Sequence, residues 1–142
     1  MALGQDIERL AQIPLLRVME PDALRLLAFA GETRIVLADT ALFQQGEKSN
    51  GGYLVLSGSF LLHDRDGQGP RFGPGTLLGE AALLRETVHE RSAVAEETST
   101  VFKVPRTTML RVLEEHPVSA QRLLGFLAQR LNRALVLPAG DA

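Results

Sequence analysis

The sequence predicts an α+β domain in which helices flank an antiparallel β-roll of the jelly-roll kind. Three observations carry this. Apolar residues recur at helical spacing in the first thirty residues and again over residues 106–136. Between them, residues 32–104 break into short apolar runs bounded by turn signals, and nine of the 13 glycines fall between residues 46 and 79. Strand and helix patterns do not alternate, so the elements are segregated and no parallel sheet is expected.

Each element follows in order. Residues 3–30 read as two short helices. Ile7, Leu10, Ala11, Leu15 and Leu16 mark the first, interrupted at Pro14. Pro21 opens the second, which carries Leu24, Leu27 and Ala28 and stops at Gly31 as its C-terminal cap. The roll, about 32–104, takes its strands from Arg34–Leu37, Tyr53–Leu56, Ser59–Leu62, Leu77–Leu78, Arg91–Ala95 and Thr100–Val104, with Asp66-Gly67 as a hairpin-type turn. Residues 106–136 give two helices. Met109, Leu110 and Leu113 form one stripe ending before Pro117. Ala120, Leu123, Leu124, Leu127, Leu131, Ala134 and Leu135 form a longer one, ended by Pro138 and Gly140. Residues 1–142 form a single domain, with no repeat and no linker.

Composition excludes several functions. The absence of cysteine removes disulfides, thiolate metal sites and a cysteine nucleophile. A net charge of −2 argues against a general nucleic-acid surface. No apolar run approaches the roughly 18–20 residues that span a bilayer. The N-terminus lacks the basic start of a signal peptide, so a soluble, cytoplasmic protein is expected. His63, His89 and His116 have no metal-ligand spacing. His116 reads as a helix-boundary residue and His89, in the loop before Arg91, as an exposed histidine, with contact to a ligand as the alternative. The neighbouring acids Glu96-Glu97 and Glu114-Glu115 point apart on any regular element and make poor catalytic pairs. Ser57-Gly58-Ser59 reads as a turn between strands and offers no nucleophile. No enzyme activity and no cofactor is expected.

The segment with chemistry to offer is Phe72-Gly73-Pro74-Gly75-Thr76-Leu77-Leu78-Gly79-Glu80-Ala81-Ala82-Leu83-Leu84, followed by His89-Glu90-Arg91-Ser92-Ala93-Val94. Gly79 permits an unusual backbone conformation, and Glu80–Leu84 can form one helical turn after it. The first N–H groups of such a turn lack internal partners and favour an anion. Arg91 opens an apolar strand, where a guanidinium needs a partner; a phosphate gripped in a bidentate fork is one. Glu80 can accept hydrogen bonds from sugar hydroxyls. Turn, acid and arginine together describe a pocket for a phosphorylated ribose. The alternative is that Glu80 and Arg91 simply pair with each other across a turn.

This segment resembles the phosphate-binding cassette of the cyclic-nucleotide-binding domain family, most nearly its bacterial catabolite-activator branch. Phe43-Gln44-Gln45-Gly46-Glu47, Asn50, Tyr53–Phe60, Gly75 and the run Thr100–Pro105, Leu110, Leu113, Pro117 are similar to further family marks in the same order. The likeness covers about residues 10–136. It implies that Gly79 and Ala81 offer N–H groups to a cyclic phosphate. It also implies that Glu80 accepts from the ribose 2′-hydroxyl, that Arg91 neutralises the phosphate and that Ser92 adds a contact. Leu62 and Phe72 would wall the purine. The last helix lacks the family's base-reading threonine, Ala134 falling near its place, so Arg130, Asn132 or Arg133 is expected to meet the base. Ser92 in place of threonine favours cAMP over cGMP. The interval Arg85–Glu90 is longer than in the kinase-type cassette, which predicts a mobile loop there.

The resemblance implies a non-enzymatic cyclic-nucleotide receptor whose last helix covers the ligand and can pair with a second copy. The chain as given offers no DNA-reading helix beyond the long last one, so this chain itself should contact no nucleic acid and no membrane. Two other readings stand beside it. One is an interaction module whose pocket no longer takes a nucleotide; the other is the sensor fragment of a transcription regulator.

Overall fold

A computed structural model describes residues 2–141. Three helices come first: α1 (Ala2–Ala11), α2 (Pro14–Arg17) and α3 (Pro21–Ala30). The sequence reading expected two. Pro14 does interrupt the first helix, but its fixed φ also starts a separate turn, because a proline at a helix's first position sacrifices an N–H that would be unpaired anyway. Gly31 follows α3 as expected, though in extended conformation (φ −77°, ψ 171°), so it is not a left-handed cap. Its lack of a side chain serves close packing: a Cβ there would sit 2.4 Å from the Phe102 ring.

Ten short strands follow: β1 (Glu32–Val36), β2 (Ala41–Phe43), β3 (Lys48–Ser49), β4 (Gly51–Ser57), β5 (Phe60–His63), β6 (Arg71–Phe72), β7 (Leu77–Leu78), β8 (Thr87–Val88), β9 (Ser92–Ala95) and β10 (Ser99–Pro105). All pairings are antiparallel, in two four-stranded sheets ordered β1-β10-β4-β7 and β2-β9-β5-β6 and a small β3-β8 pair. This is the expected roll. A 3-10 helix (Glu80–Leu83) interrupts it between β7 and β8. The Asp66-Gly67 turn lies within a longer connection from β5 to β6, not in a two-residue hairpin.

The central strands β4 and β10 explain how two cores coexist. Side chains alternate across a strand. Leu54, Phe102 and Val104 face the helices and join Leu10, Leu15, Leu16, Leu27 and Met109. Tyr53, Val55 and Val101 face inward and join Phe60, Leu78, Ala93 and Ala95 from the other strands.

After β10 come α4 (Arg106–Glu115) and α5 (Pro117–Asp141), with His116 at their boundary as expected. Met109 and Val112 are the buried residues of α4, whereas Leu110 is 41% exposed, so the expected stripe is rotated by one helical step. On α5, Leu123 is buried and Phe126 and Leu127 pack partly against the helix core, while Leu124 (68%), Leu131 (61%) and Leu135 (65%) are exposed. The expected buried face therefore covers only the first half of α5. Helix α5 also continues through Pro138 and Gly140, which were expected to end it. Among the described residues, no helix is long and apolar enough to cross a membrane.

Candidate functional site

The site begins at Gly79, which has φ 75° and ψ 36°. That left-handed conformation costs an L-residue energy and glycine little. It turns the chain out of β7 straight into the 3-10 helix. The Ala82 N–H returns to the Gly79 carbonyl at 3.0 Å, so the N–H groups of Glu80 and Ala81 precede the first bond of that helix.

A cavity of about 420 Å³ opens beside this bend, lined by Gly79, Glu80 and Ala81 on one side and by Arg91, Leu62 and His89 on others. Three stretches of the chain thus bring an acid, a guanidinium and an apolar wall to one space. Glu80 does not pair with Arg91. Its carboxylate instead accepts from Nη1 of Arg130, which reaches down from α5. The Arg130 guanidinium also lies 4.8 Å from the Phe126 ring centroid, a stacking contact that helps fix its direction. Arg91 makes no side-chain hydrogen bond or ion pair among the described residues and faces the cavity with its charge uncommitted.

The other expected residues are placed differently. The Ser92 hydroxyl accepts from the Gln45 N–H at 2.9 Å, and Ser92 is not among the cavity's lining residues. Phe72 stands opposite Phe60 in the β5–β6 pair and packs on the inner core. Asn132 is about 200° round the helix from Arg130 and lines a separate exposed groove with Ala128, Leu131 and Leu135. Arg133 is exposed, away from the cavity lining.

Two residues escaped the sequence reading. His89 was expected to be an exposed loop residue and is buried, 9% accessible. Its ring stacks on Phe43 with centroids 3.6 Å apart and planes within 5°. Burial lowers its pKa, with the Glu47 carboxylate opposing, which favours the neutral form of the ring. It also corrects the expectation of a mobile Arg85–Glu90 loop. The His89 N–H donates to the Glu47 carbonyl, the Gly46 N–H donates to the His89 carbonyl, both at 2.9 Å, and β8 pairs with β3. Longer chain is accommodated by a tethered strand. A Phe-x-x-Gly-Glu turn with a histidine two residues before the arginine was the available signal, but stacking depends on long-range geometry.

The second is Arg106, at the start of α4. Its Nη1 donates to the carbonyls of Ser49 (2.8 Å), Ala82 (3.3 Å) and Arg85 (3.2 Å). It therefore clamps the far end of the 3-10 helix to β3 and α4. Among the described residues, no three histidines or acids cluster as metal ligands.

Comparison with known proteins agrees with this geometry. The chain is 31% identical over 126 residues to the cyclic AMP receptor protein of Thermus thermophilus, covering 85% of this chain and 58% of that protein. It is 29% identical to the lysophospholipase NTE1 of Pyricularia oryzae, where it covers 84% of this chain but only 8% of the relative. The chain thus spans a little over half of one such relative and a small part of the other. A cyclic nucleotide-binding-like protein from Brucella abortus has a similar structure, with TM-score 0.70 and 32% identity, over 78% of this chain and 98% of that one. The family described as the cyclic nucleotide-binding domain matches residues 33–116, a stretch that holds all of the roll but its first residue, the Gly79 bend, Glu80 and Arg91, and it is to this family that the chain belongs.

Proposed function

We propose that this chain is a non-enzymatic sensor domain of the cytoplasm whose cavity holds a cyclic mononucleotide, cAMP rather than cGMP. One observation carries the reading: Glu80 and an uncommitted Arg91 line the same cavity beside the left-handed bend at Gly79. The Arg91 fork meets the cyclic phosphate, joined by N–H groups at Gly79 and Ala81. Glu80 keeps lone pairs free after bonding Arg130, since a carboxylate offers about four acceptor sites, and these take the ribose 2′-hydroxyl. Arg130 then ties the bound sugar to α5. Leu62 gives the purine an apolar wall. The preference for cAMP rests on Ser92 and on the name of the Thermus relative.

A second copy of the chain is the partner this reading gives α5. Leu124, Leu131 and Leu135 are exposed along one side, with Ala128 between them, at alternating steps of four, three and four residues. Those same leucines favour the interaction-module reading should the cavity take no nucleotide.

Thermal melting with and without nucleotide decides between them. Ligand at about a hundred times its Kd adds roughly 2.7 kcal/mol, so the melting temperature should rise by several degrees with cAMP and less with cGMP. No rise with either nucleotide refutes the sensor reading.

A further inference from the structure

A second cavity, of about 430 Å³, lies on the other side of the Phe43–His89 stack. Its unusual feature is Lys103. This residue sits in β10 in register with Tyr53, on the strand face that also carries the buried Val101, so the lysine points toward the roll interior. It is only 8% exposed. Its side chain makes no hydrogen bond and no ion pair among the described residues. What it has is the face of Tyr53, 5.6 Å from Nζ to the ring centroid. Glu32, its neighbour across the sheet in β1, is already engaged with Arg34 at 2.6 Å.

Among the described residues no unpartnered side-chain nitrogen is fully buried, so the Lys103 ammonium, with one aromatic face as its protein contact, still reaches solvent. Burial, and then Arg34, lower the Lys103 pKa, while Glu32 raises it. Its open donor positions face the cavity that Lys103 lines with Lys48, Asn50, Glu47, Tyr53 and His89. Glu47 has committed Oε1 to the Gln44 N–H at 2.7 Å. Lys48 and Lys103 against Glu47 leave one net positive charge, the Glu32–Arg34 pair being neutral in itself. The volume suits a small molecule, such sites running from about 300 to 1,000 Å³.

We infer that this cavity is a second ligand site, for the carboxylate or phosphate group of a small metabolite, with Lys103 as its principal cation and Lys48 and the Asn50 amide as further donors. It is distinct from the site of Glu80 and Arg91, with which it shares the stacked wall of Phe43 and His89 and the residue Ser49.

The test is a titration of 15N-labelled protein with sodium phosphate and, separately, sodium acetate at fixed pH and ionic strength, read by amide shifts. Saturable shifts at Asn50, Tyr53 and Lys103 with either anion are expected, and the responding anion identifies the group preferred. They should persist in Arg91→Ala, which removes the uncommitted guanidinium of the first cavity. Lys103→Met should weaken binding about tenfold or more, the equivalent of one charge-assisted hydrogen bond, with Lys103→Arg recovering part of it. Absence of saturation with both anions, shifts that vanish in Arg91→Ala, or equal affinity in Lys103→Met would each overturn the inference. The wild-type and Arg91→Ala titrations decide it without relying on any Lys103 variant folding.

Discussion

Arg91→Ala separates a ligand site from a structural ion pair. In the free protein Arg91 is exposed and has no side-chain partner among the described residues, so truncation orphans no buried group. Stability should therefore change by no more than about 0.5 kcal/mol, the usual range for surface substitutions. All of the loss should appear on binding. A hydrogen bond to a charged group contributes about 1.5–3 kcal/mol. Because Arg91 borders an open cavity, where water screens it, the two contacts of the fork together are set at that range and not at twice it. The expected outcome is a ten- to hundredfold weaker Kd for cAMP, since about 1.4 kcal/mol is tenfold. Arg91→Lys keeps the charge but not the planar fork and should fall between. Isothermal calorimetry measures the affinity and chemical denaturation the stability. An affinity within twofold of wild type refutes the assignment of Arg91 to the phosphate. A fall in stability as large as the fall in affinity would show that Arg91 holds the fold instead.

Three more outcomes follow from the same geometry. Arg130→Ala removes a half-exposed ion pair, which sets its stability cost at no more than about 1 kcal/mol; cAMP should still bind, several-fold more weakly, and should no longer slow hydrogen exchange in residues 120–135. Continued protection of α5 by nucleotide in this variant would show that Arg130 is not the link. His89 has a folded-state pKa below its ordinary 6.5, so protonation favours the unfolded chain, and the stability it contributes is present above pH 6.5 and lost as pH falls below it. Denaturation midpoints at pH 7.5 and 5.5 should differ more in wild type than in His89→Phe; equal differences would contradict a buried, neutral ring. Leu131→Glu puts a charge amid the exposed leucines of α5, and sedimentation should show a smaller species than wild type if two copies pair there, with cAMP affinity little changed.

The sequence legibly announced what depends on local periodicity and on adjacent residues. Helix α3 was visible because Pro21 and Gly31 bracket Leu24, Leu27 and Ala28 at helical spacing. The bend at Gly79 was visible because a glycine before a helical turn is a local signal. What escaped depends on partners far along the chain. Strands β3 and β8 are two residues each and exist only as a pair, Lys48 to Val88 and Ser49 to Thr87, so neither has a pattern of its own. The burial of His89 follows from that pair and from Phe43, forty-six positions earlier by their numbering. The leucines of α5 satisfy helical periodicity equally well whether they meet the core or nothing, and only the first of them reach the core. Likewise, Arg130, Asn132 and Arg133 were indistinguishable as base-reading candidates until the helix phase showed that Arg130 alone reaches Glu80.

The two arginines that were hardest to read are the ones that give the cavity a mechanical consequence. Arg106, at the start of α4, bonds carbonyls at Ala82 and Arg85, where the 3-10 helix ends. Arg130, on α5, bonds Glu80, where it begins. One four-residue element is thus held at opposite ends by two successive helices, and α4 and α5 meet at His116. A ligand can bias such an arrangement only by binding one setting better than another. A sugar hydroxyl on Glu80 acts on the α5 end alone, because Arg106 grips main-chain oxygens that no ligand contact replaces. The proposed sensor therefore moves α5 relative to a fixed α4. Were hydrogen exchange to show nucleotide protecting α4 as strongly as α5, that division of labour would be wrong, while the assignment of Glu80 and Arg91 would stand.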